Sequence, residues 1–223
     1  TQGIGAMGAI RISGSQAFAV AEKVFRSKRG LKIEEMGNYS LAYGHVYNGD
    51  KLLDQALLLK MKGPNSFTGE DVVELQCHGG PVVLSRLLQL LIQSGARLAL
   101  PGEFTQRAFL NGKIDLAQAE AVMYLVNSTN EKAAEAAAGQ MQGSLSLKIK
   151  EMKDKIIGWI AGIEAEIDFP DEIDDAFDRE TVQKEIRKML ADVKELLATA
   201  TFSRIYREGL RLVFYGRPNV GKS

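Results

Sequence analysis

Near residue 115 the spacing of the apolar residues changes, and that change does most to limit the folds open to this chain. Before it, apolar residues come in short runs with a two-residue repeat. Val73, Leu75 and Cys77 share one face of a strand predicted over residues 71–78, and Glu74, Gln76 and His78 share the other. After it, apolar residues recur at three- and four-residue steps. Ile149, Met152, Ile156, Trp159, Ile163 and Ile167 make one helical stripe; Val182, Ile186, Met189, Val193 and Leu196 make a second. No single kind of element serves both periods. An α+β part through residue 114 followed by an α-helical bundle over residues 115–208 is the expectation, with the two stripes packed on each other.

Local signals place the elements. Residues 9–12 predict a short strand closed by Ser13-Gly14, and Ser15 is placed to cap a helix through Phe25 that buries Phe18, Ala21, Val24 and Phe25. Strands predicted over 41–46 and 52–61 flank Asn48-Gly49-Asp50, a hairpin signal. Residues 63–66 read as loop. Pro81 opens a helix through Ser94, because proline at the first helical position forfeits only an unpaired N–H. A short helix over 104–111 stops at Gly112, and Asp115 and Gln118 have capping-box spacing for the next one. Pro170 ends the first long helix, residues 133–138 are alanine-rich, and a strand is predicted again over 210–215.

Composition removes several function classes. Twenty-eight Lys+Arg balance twenty-eight Asp+Glu, and the pI near 6.7 argues against a chain-wide electrostatic grip on nucleic acid. One cysteine, Cys77, excludes an internal disulfide framework and fits a reducing compartment. No apolar run approaches the roughly 20 residues of a membrane helix. Residues 1–12 carry one Arg and no basic flank before an apolar stretch, so no signal peptide is visible. A soluble, intracellular protein is expected.

Residues 216–223, Gly-Arg-Pro-Asn-Val-Gly-Lys-Ser, match G-x-x-x-x-G-K-[ST], the phosphate-cradling P-loop. Its glycines let backbone N–H groups converge on a β-phosphate, Lys222 reaches the β/γ oxygens, and the Ser223 hydroxyl ligates Mg²⁺. A chance match somewhere in the chain is on the order of one in a hundred, and the preceding apolar strand lowers that further. No helix follows Ser223 here and no second Mg²⁺ ligand is present, so the motif is not expected to work in these 223 residues alone.

The blocks Arg11-Ile12-Ser13-Gly14, Gly63-Pro64-Asn65-Ser66-Phe67-Thr68-Gly69-Glu70-Asp71, His78-Gly79-Gly80-Pro81 and Pro101-Gly102-Glu103-Phe104-Thr105 occur in this order. Then come Arg107-Ala108-Phe109-Leu110-Asn111-Gly112-Lys113, Asp115-Leu116-Ala117-Gln118-Ala119-Glu120-Ala121, Ile167-Asp168-Phe169-Pro170 and the P-loop. Together they resemble the tRNA modification GTPase MnmE (TrmE) family over nearly the whole chain. The resemblance implies an N-terminal folate-binding domain over 1–114, similar to that of the glycine-cleavage aminomethyltransferase and forming the homodimer. A helical domain over 115–208 follows. Residues 209–223 would be the first strand and P-loop of a Ras-like α/β G domain. The implied activity is GTP hydrolysis coupled to adding a carboxymethylaminomethyl-type group to the wobble uridine of certain tRNAs, in the cytoplasm. The implied partners are the flavoprotein MnmG (GidA), in a hetero-oligomer, and tRNA, with no membrane. The implied cofactors are 5-formyltetrahydrofolate or a related tetrahydrofolate, GTP, Mg²⁺ and K⁺. Asn219, Val220, Gly221, Lys222 and Ser223 would hold the GTP phosphates. Ser223 would ligate magnesium, and the hard oxygen of Asn219 would suit potassium. The segment before Arg11 departs from the family: it is slightly shorter and has Thr1-Gln2 where a Thr-Pro pair is usual.

For the folate site the chemistry can be read from residue types. A pterin presents an N–H beside an exocyclic NH₂, a donor pair that a carboxylate accepts in two-pronged fashion. Glu74 matches the family's folate-binding glutamate; Arg11 and Lys113 match its other two contacts and would reach ligand oxygens. Glu70, Asp71, Glu103 and Arg107 lie in matching blocks but are left out of the site. His78 is read as positioning the following helix, His45 as structural, Cys77 as non-catalytic, and Trp159 with its stripe as core. The mixed-sign run over 148–155 reads as a solvated helix face, and no Cys/His cluster has zinc spacing. No catalytic residue for hydrolysis is identifiable here. The alternative is that these residues form a non-catalytic folate-binding dimerisation module without GTPase activity.

Overall fold

The computed structural model describes residues 5–169, 178–208 and 215. The strand expected over 210–215, apart from Tyr215, the P-loop residues 216–223 and the helix-ending Pro170 lie outside the described residues. The chain divides into two compact units between Asp115 and Leu116.

The first unit holds the strands β1 (Met7–Ser13), β2 (Phe25–Ser27), β3 (Ser40–Asn48), β4 (Lys51–Met61) and β5 (Val72–His78), with the helices α1 (Ala17–Val24), α2 (Pro81–Gln93) and α3 (Glu103–Leu110). The strands form one sheet in the order β1-β5-β4-β3-β2, antiparallel at every pairing. The β3–β4 hairpin turns at Gly49, whose φ of +62° favours a residue without a Cβ. Its register shifts between Val46, opposite Asp54, and Tyr47, opposite Leu52.

Alternation along the strands decides which face is dry. Val46, Leu58, Val73, Leu75 and Cys77 point to the helix side and are buried with Ala21 and Val24 of α1 and Leu87 and Leu91 of α2. Burying each Val or Leu among them is worth about 1.5–3 kcal/mol. Lys60 breaks the pattern. It sits on the dry side at 4% exposure, donates to the Glu34 carbonyl at 2.9 Å and the Met36 carbonyl at 2.8 Å, and lies over the Phe18 ring. The opposite face is open, with Leu41, Tyr43 and Leu57 exposed.

The structure differs from the sequence reading at the first helix. Gln16, not Ser15, precedes α1, and no side chain caps it. Phe25 leaves the helix in an extended conformation and starts the edge strand β2, which the helical reading absorbed. Burial of the Phe25 ring and pairing with Val46 outweigh one more residue of helix. Gly44 makes the close pairing possible: a Cβ there would lie 2.4 Å from the Arg26 carbonyl oxygen.

The second unit is helical: α4 (Leu116–Val126), α5 (Glu131–Met141), α6 (Ser144–Asp168) and α7 (Arg179–Glu208). Helices α4 and α5 pack through small residues, with Ala121, Ala133 and Ala137 buried. Asn130 caps α5 by accepting from the Ala133 N–H at 2.9 Å. The two long helices follow the predicted stripes, but they do not close on each other. A groove of about 580 Å³ lies between them, lined by Lys148, Met152 and Lys155 of α6 and Glu185, Met189 and Leu196 of α7. No described residue of α6 is buried. Trp159, expected in a core, is half-buried, and Ile167 is exposed. Among the described residues no helix is long and apolar enough to cross a membrane.

Candidate functional site

Two strands, neighbours in the sheet, carry two of the candidate residues. Arg11 of β1 stands directly opposite Glu74 of β5, and alternation puts both on the open face. The Arg11 Nε–H donates to Glu74 Oε2 at 2.5 Å. Gln76, two residues along on the same face, donates from Nε2 to Glu74 Oε1 at 2.7 Å. The sequence reading placed Gln76 beside Glu74 but gave it no role; the two-residue repeat was the signal that could have done so.

Glu74 is 7% exposed, although the face around it is open. Burial pushes its carboxyl up, but the hydrogen bonds from Gln76 and Arg11 and the charge of Arg11 outweigh it, so the group is held below the ordinary glutamate value. Glu74 is therefore a carboxylate at neutral pH. Each oxygen has two lone-pair sites and spends one on a protein donor, leaving one on each for a paired N–H/NH₂ edge. Arg11 uses only Nε in this contact, and its side chain is 59% exposed, which leaves the outer guanidinium nitrogens available to ligand oxygens. These donors and acceptors fit a pterin with an anionic tail.

Lys113 stands apart from that pair. Its Nζ donates to the Pro64 carbonyl at 2.9 Å, and no hydrogen bond or ion pair links it to Arg11 or Glu74 among the described residues. It rests against the loop of residues 62–71: a Cβ on Gly69 would lie 3.3 Å from the Lys113 Cγ, and Gly69 has a φ of +77°.

The four residues left out of the site hold that loop to β1 and α3. Arg107 forks onto both Glu70 oxygens at 3.0 and 2.9 Å and donates twice to Glu103 Oε1. Arg97 donates to Glu103 through both terminal nitrogens, and the Leu100 N–H adds a further bond. Glu103 consequently sits far below the usual carboxylate range, chiefly through Arg97, then Leu100 and Arg107. Glu70 Oε2 accepts from Ser13 Oγ at 2.8 Å, and Ser13 Oγ also meets Thr68 Oγ1 at 2.7 Å. Asp71 Oδ1 accepts from the Gly63 N–H. Ser13 lies two residues from Arg11 on β1, so this network ties the loop to that strand next to the Arg11–Glu74 pair. Ser13 meets Thr68 and Glu70 across 55 and 57 residues of sequence, which spacing cannot announce, whereas Arg97 reaches Glu103 only six residues on.

A groove of about 360 Å³ runs along the free edge of β1. It is lined by residues 10–17, α2 residues Leu88, Leu91 and Ile92, and the segment 95–99, and Arg11 belongs to it as well as to the open face. His78 ends β5, with its Nδ1 2.7 Å from Asp54 Oδ1 and its N–H donating to Asp54 Oδ2. Cys77 is buried, and burial together with the Asp54 charge pushes its thiol up; a thiol so placed is a poor nucleophile. Among the described residues no group of three His, Cys, Asp or Glu is arranged to hold a metal ion. Asn219, Val220, Gly221, Lys222 and Ser223 lie outside the described residues.

Comparisons with known proteins bear on the same segments. The family model described as "GTP-binding protein TrmE N-terminus" matches residues 1–113, and the model "MnmE helical domain" matches residues 116–212. The tRNA modification GTPase MnmE of Clostridioides difficile (strain 630) is 45% identical over 221 residues, covering 99% of this chain and 48% of that protein. The protein of the same name from Symbiobacterium thermophilum is 47% identical over 222 residues, with 99% and 49% covered. That of Enterococcus faecalis (strain V583) is 46% identical over 226 residues. The chain spans about half the length of the curated relatives it matches.

Proposed function

Because the chain belongs to the MnmE (TrmE) family, we propose that it is the folate-binding and helical part of a cytoplasmic tRNA modification GTPase. In this reading residues 1–114 resemble the folate domain of the glycine-cleavage aminomethyltransferase and form the homodimer. Residues 115–208 are the helical domain, and residues 209–223 open a Ras-like G domain. The whole protein acts on the wobble uridine of certain tRNAs with the flavoprotein MnmG (GidA), adding a carboxymethylaminomethyl-type group and hydrolysing GTP. The tetrahydrofolate, 5-formyltetrahydrofolate or a relative, supplies the one-carbon unit when bound.

The observation that supports this most is the ionised, nearly buried Glu74 on an otherwise open sheet face, with one acceptor site free on each oxygen. Glu74 accepts the pterin N–H and NH₂ pair and so fixes the ring's orientation. Gln76 and Arg11 hold the carboxylate still and charged. The outer nitrogens of Arg11 and the ammonium of Lys113 take ligand oxygens, Lys113 exchanging its Pro64 carbonyl for them. Asn219, Val220, Gly221, Lys222 and Ser223 cradle the GTP phosphates, with Mg²⁺ on Ser223 and K⁺ on Asn219.

Calorimetric titration with 5-formyltetrahydrofolate tests the site. Glu74→Ala removes hydrogen bonds to a charged acceptor, each worth about 1.5–3 kcal/mol, so affinity should fall at least tenfold while the thermal melt stays cooperative. Undiminished affinity would remove Glu74 from the site and the folate reading with it.

A further inference from the structure

The open sheet face carries a second constellation, at the edge away from β1. Tyr43, His45 and Tyr47 follow one another on the same side of β3. The Tyr43 and His45 ring centroids are 5.8 Å apart, and those of His45 and Tyr47 6.2 Å apart. Two cations from the β2 edge reach over this ladder: Arg26 lies 4.6 Å from the Tyr47 centroid and Lys28 5.8 Å from that of Tyr43. Arg26 and Lys28 are exposed and Tyr43 is 42% exposed. Neither cation pairs with a carboxylate among the described residues. Of the strand residues on this face only Glu74 is acidic, and Arg11 already neutralises it.

We propose that this strip, Arg26, Lys28, Tyr43, His45 and Tyr47, binds unpaired RNA, with bases stacked on the tyrosines and backbone phosphates taken by the two cations. The inference rests on the reading of the chain as part of a tRNA-modifying protein, and supplies an RNA contact that overall charge does not reveal. Flat aromatic faces on an open sheet with adjacent cations suit splayed, single-stranded bases and not a duplex, whose bases are stacked away. The cation–ring contacts are interactions that a phosphate can replace. A second copy of the chain is the poorer occupant. A two-fold pair of this face would offer Arg26 and Lys28 no spare carboxylate from its strands, since Glu74 is already held by Arg11. The strip lies on β3, two strands or about 10 Å across the sheet from β5, and its near end, Tyr43, is level with Gln76 through Leu57, so bound RNA would approach the proposed folate at that end.

The test is fluorescence anisotropy of this chain with two probes: a short stem-loop RNA with an unpaired loop, and a fully paired RNA duplex of the same composition. The Tyr43→Leu/Tyr47→Leu variant should lose about tenfold or more for the stem-loop and nothing for the duplex, with an unchanged circular-dichroism melt. Tyr43→Phe keeps the ring but not the hydroxyl that donates to Gln55; it should bind like the parent chain. Arg26→Gln/Lys28→Gln should reduce the slope of log affinity against log salt by about 1.4. Arg86→Gln, on α2 at the other side of the sheet, should change none of these. Equal stem-loop affinity for the tyrosine variant would overturn the proposal, as would a parent chain that binds neither RNA. So would a variant that dissociates a dimer without moving RNA affinity, since a second copy would then cover the strip. Titration of the same samples with 5-formyltetrahydrofolate separates the two readings. Folate binding retained with no RNA effect sinks the strip alone, and RNA binding retained with no folate binding sinks the folate reading alone.

Discussion

Replacing Arg107 with alanine should destabilise the first unit by an amount the geometry allows to be worked out. The side chain makes two bonds to Glu70 and two to Glu103, all between 2.8 and 3.0 Å. A hydrogen bond to a charged group contributes about 1.5–3 kcal/mol, but the four share one guanidinium that is 30% exposed, so water recovers part of the loss. Glu103 keeps Arg97 and the Leu100 N–H, and Glu70 keeps Ser13, so neither carboxylate is abandoned. The net cost is about 2 kcal/mol, or a melting shift of roughly 8 °C for a unit of this size. The pH dependence has a fixed sign. Arg97, Leu100 and Arg107 depress the folded Glu103 carboxyl below its ordinary value of 4.5. That stabilisation is therefore full above pH 4.5 and is lost as pH falls through the folded value. Thermal melts of the parent chain and Arg107→Ala should differ most at neutral pH and converge only as pH falls through the folded Glu103 value, well below 4.5. Curves that coincide at pH 7, or a gap that widens in acid, would show that the Arg107 bonds do not stabilise the first unit.

Two more outcomes follow from the core. Lys60→Met leaves the Glu34 and Met36 carbonyls without their shared donor, at a cost of about 1–3 kcal/mol; a denaturant midpoint unchanged from the parent would show that the ammonium is dispensable. Cys77, buried and with its thiol pushed up, should resist alkylation at pH 8 in the folded chain and react fully in denaturant, as mass spectrometry of the adduct will show. Stoichiometric labelling without denaturant would contradict the packing described.

Much of the first unit was legible because its signals are local. The Asn48-Gly49-Asp50 turn, the proline opening α2 and the two-residue repeat around Glu74 each act within a few residues. Strand β2 was not legible. Three residues carry too little pattern, and Phe25 completes the apolar stripe of α1 as well as it starts a strand. Lys60 was hidden because a charged residue in a dry position is explained only by carbonyls 24 and 26 residues away in sequence. In the helical unit the stripes could be read, but the groove between α6 and α7 could not, since periodicity names an apolar face without naming its cover. At the site, the family resemblance pointed to Arg11, Glu74 and Lys113, and the register of adjacent strands brings the first two into contact. The separation of Lys113 from that pair depends on how the loop of residues 62–71 folds, which no local pattern encodes.

The most direct test of the central claim is a crystal structure of this chain with 5-formyltetrahydrofolate bound. The pterin N–H and NH₂ should sit on the two oxygens of Glu74, with Gln76 still in place and Arg11 and Lys113 on ligand oxygens. A ligand lodged instead in the groove along the free edge of β1, with the Arg11–Glu74 contact untouched, would contradict the account.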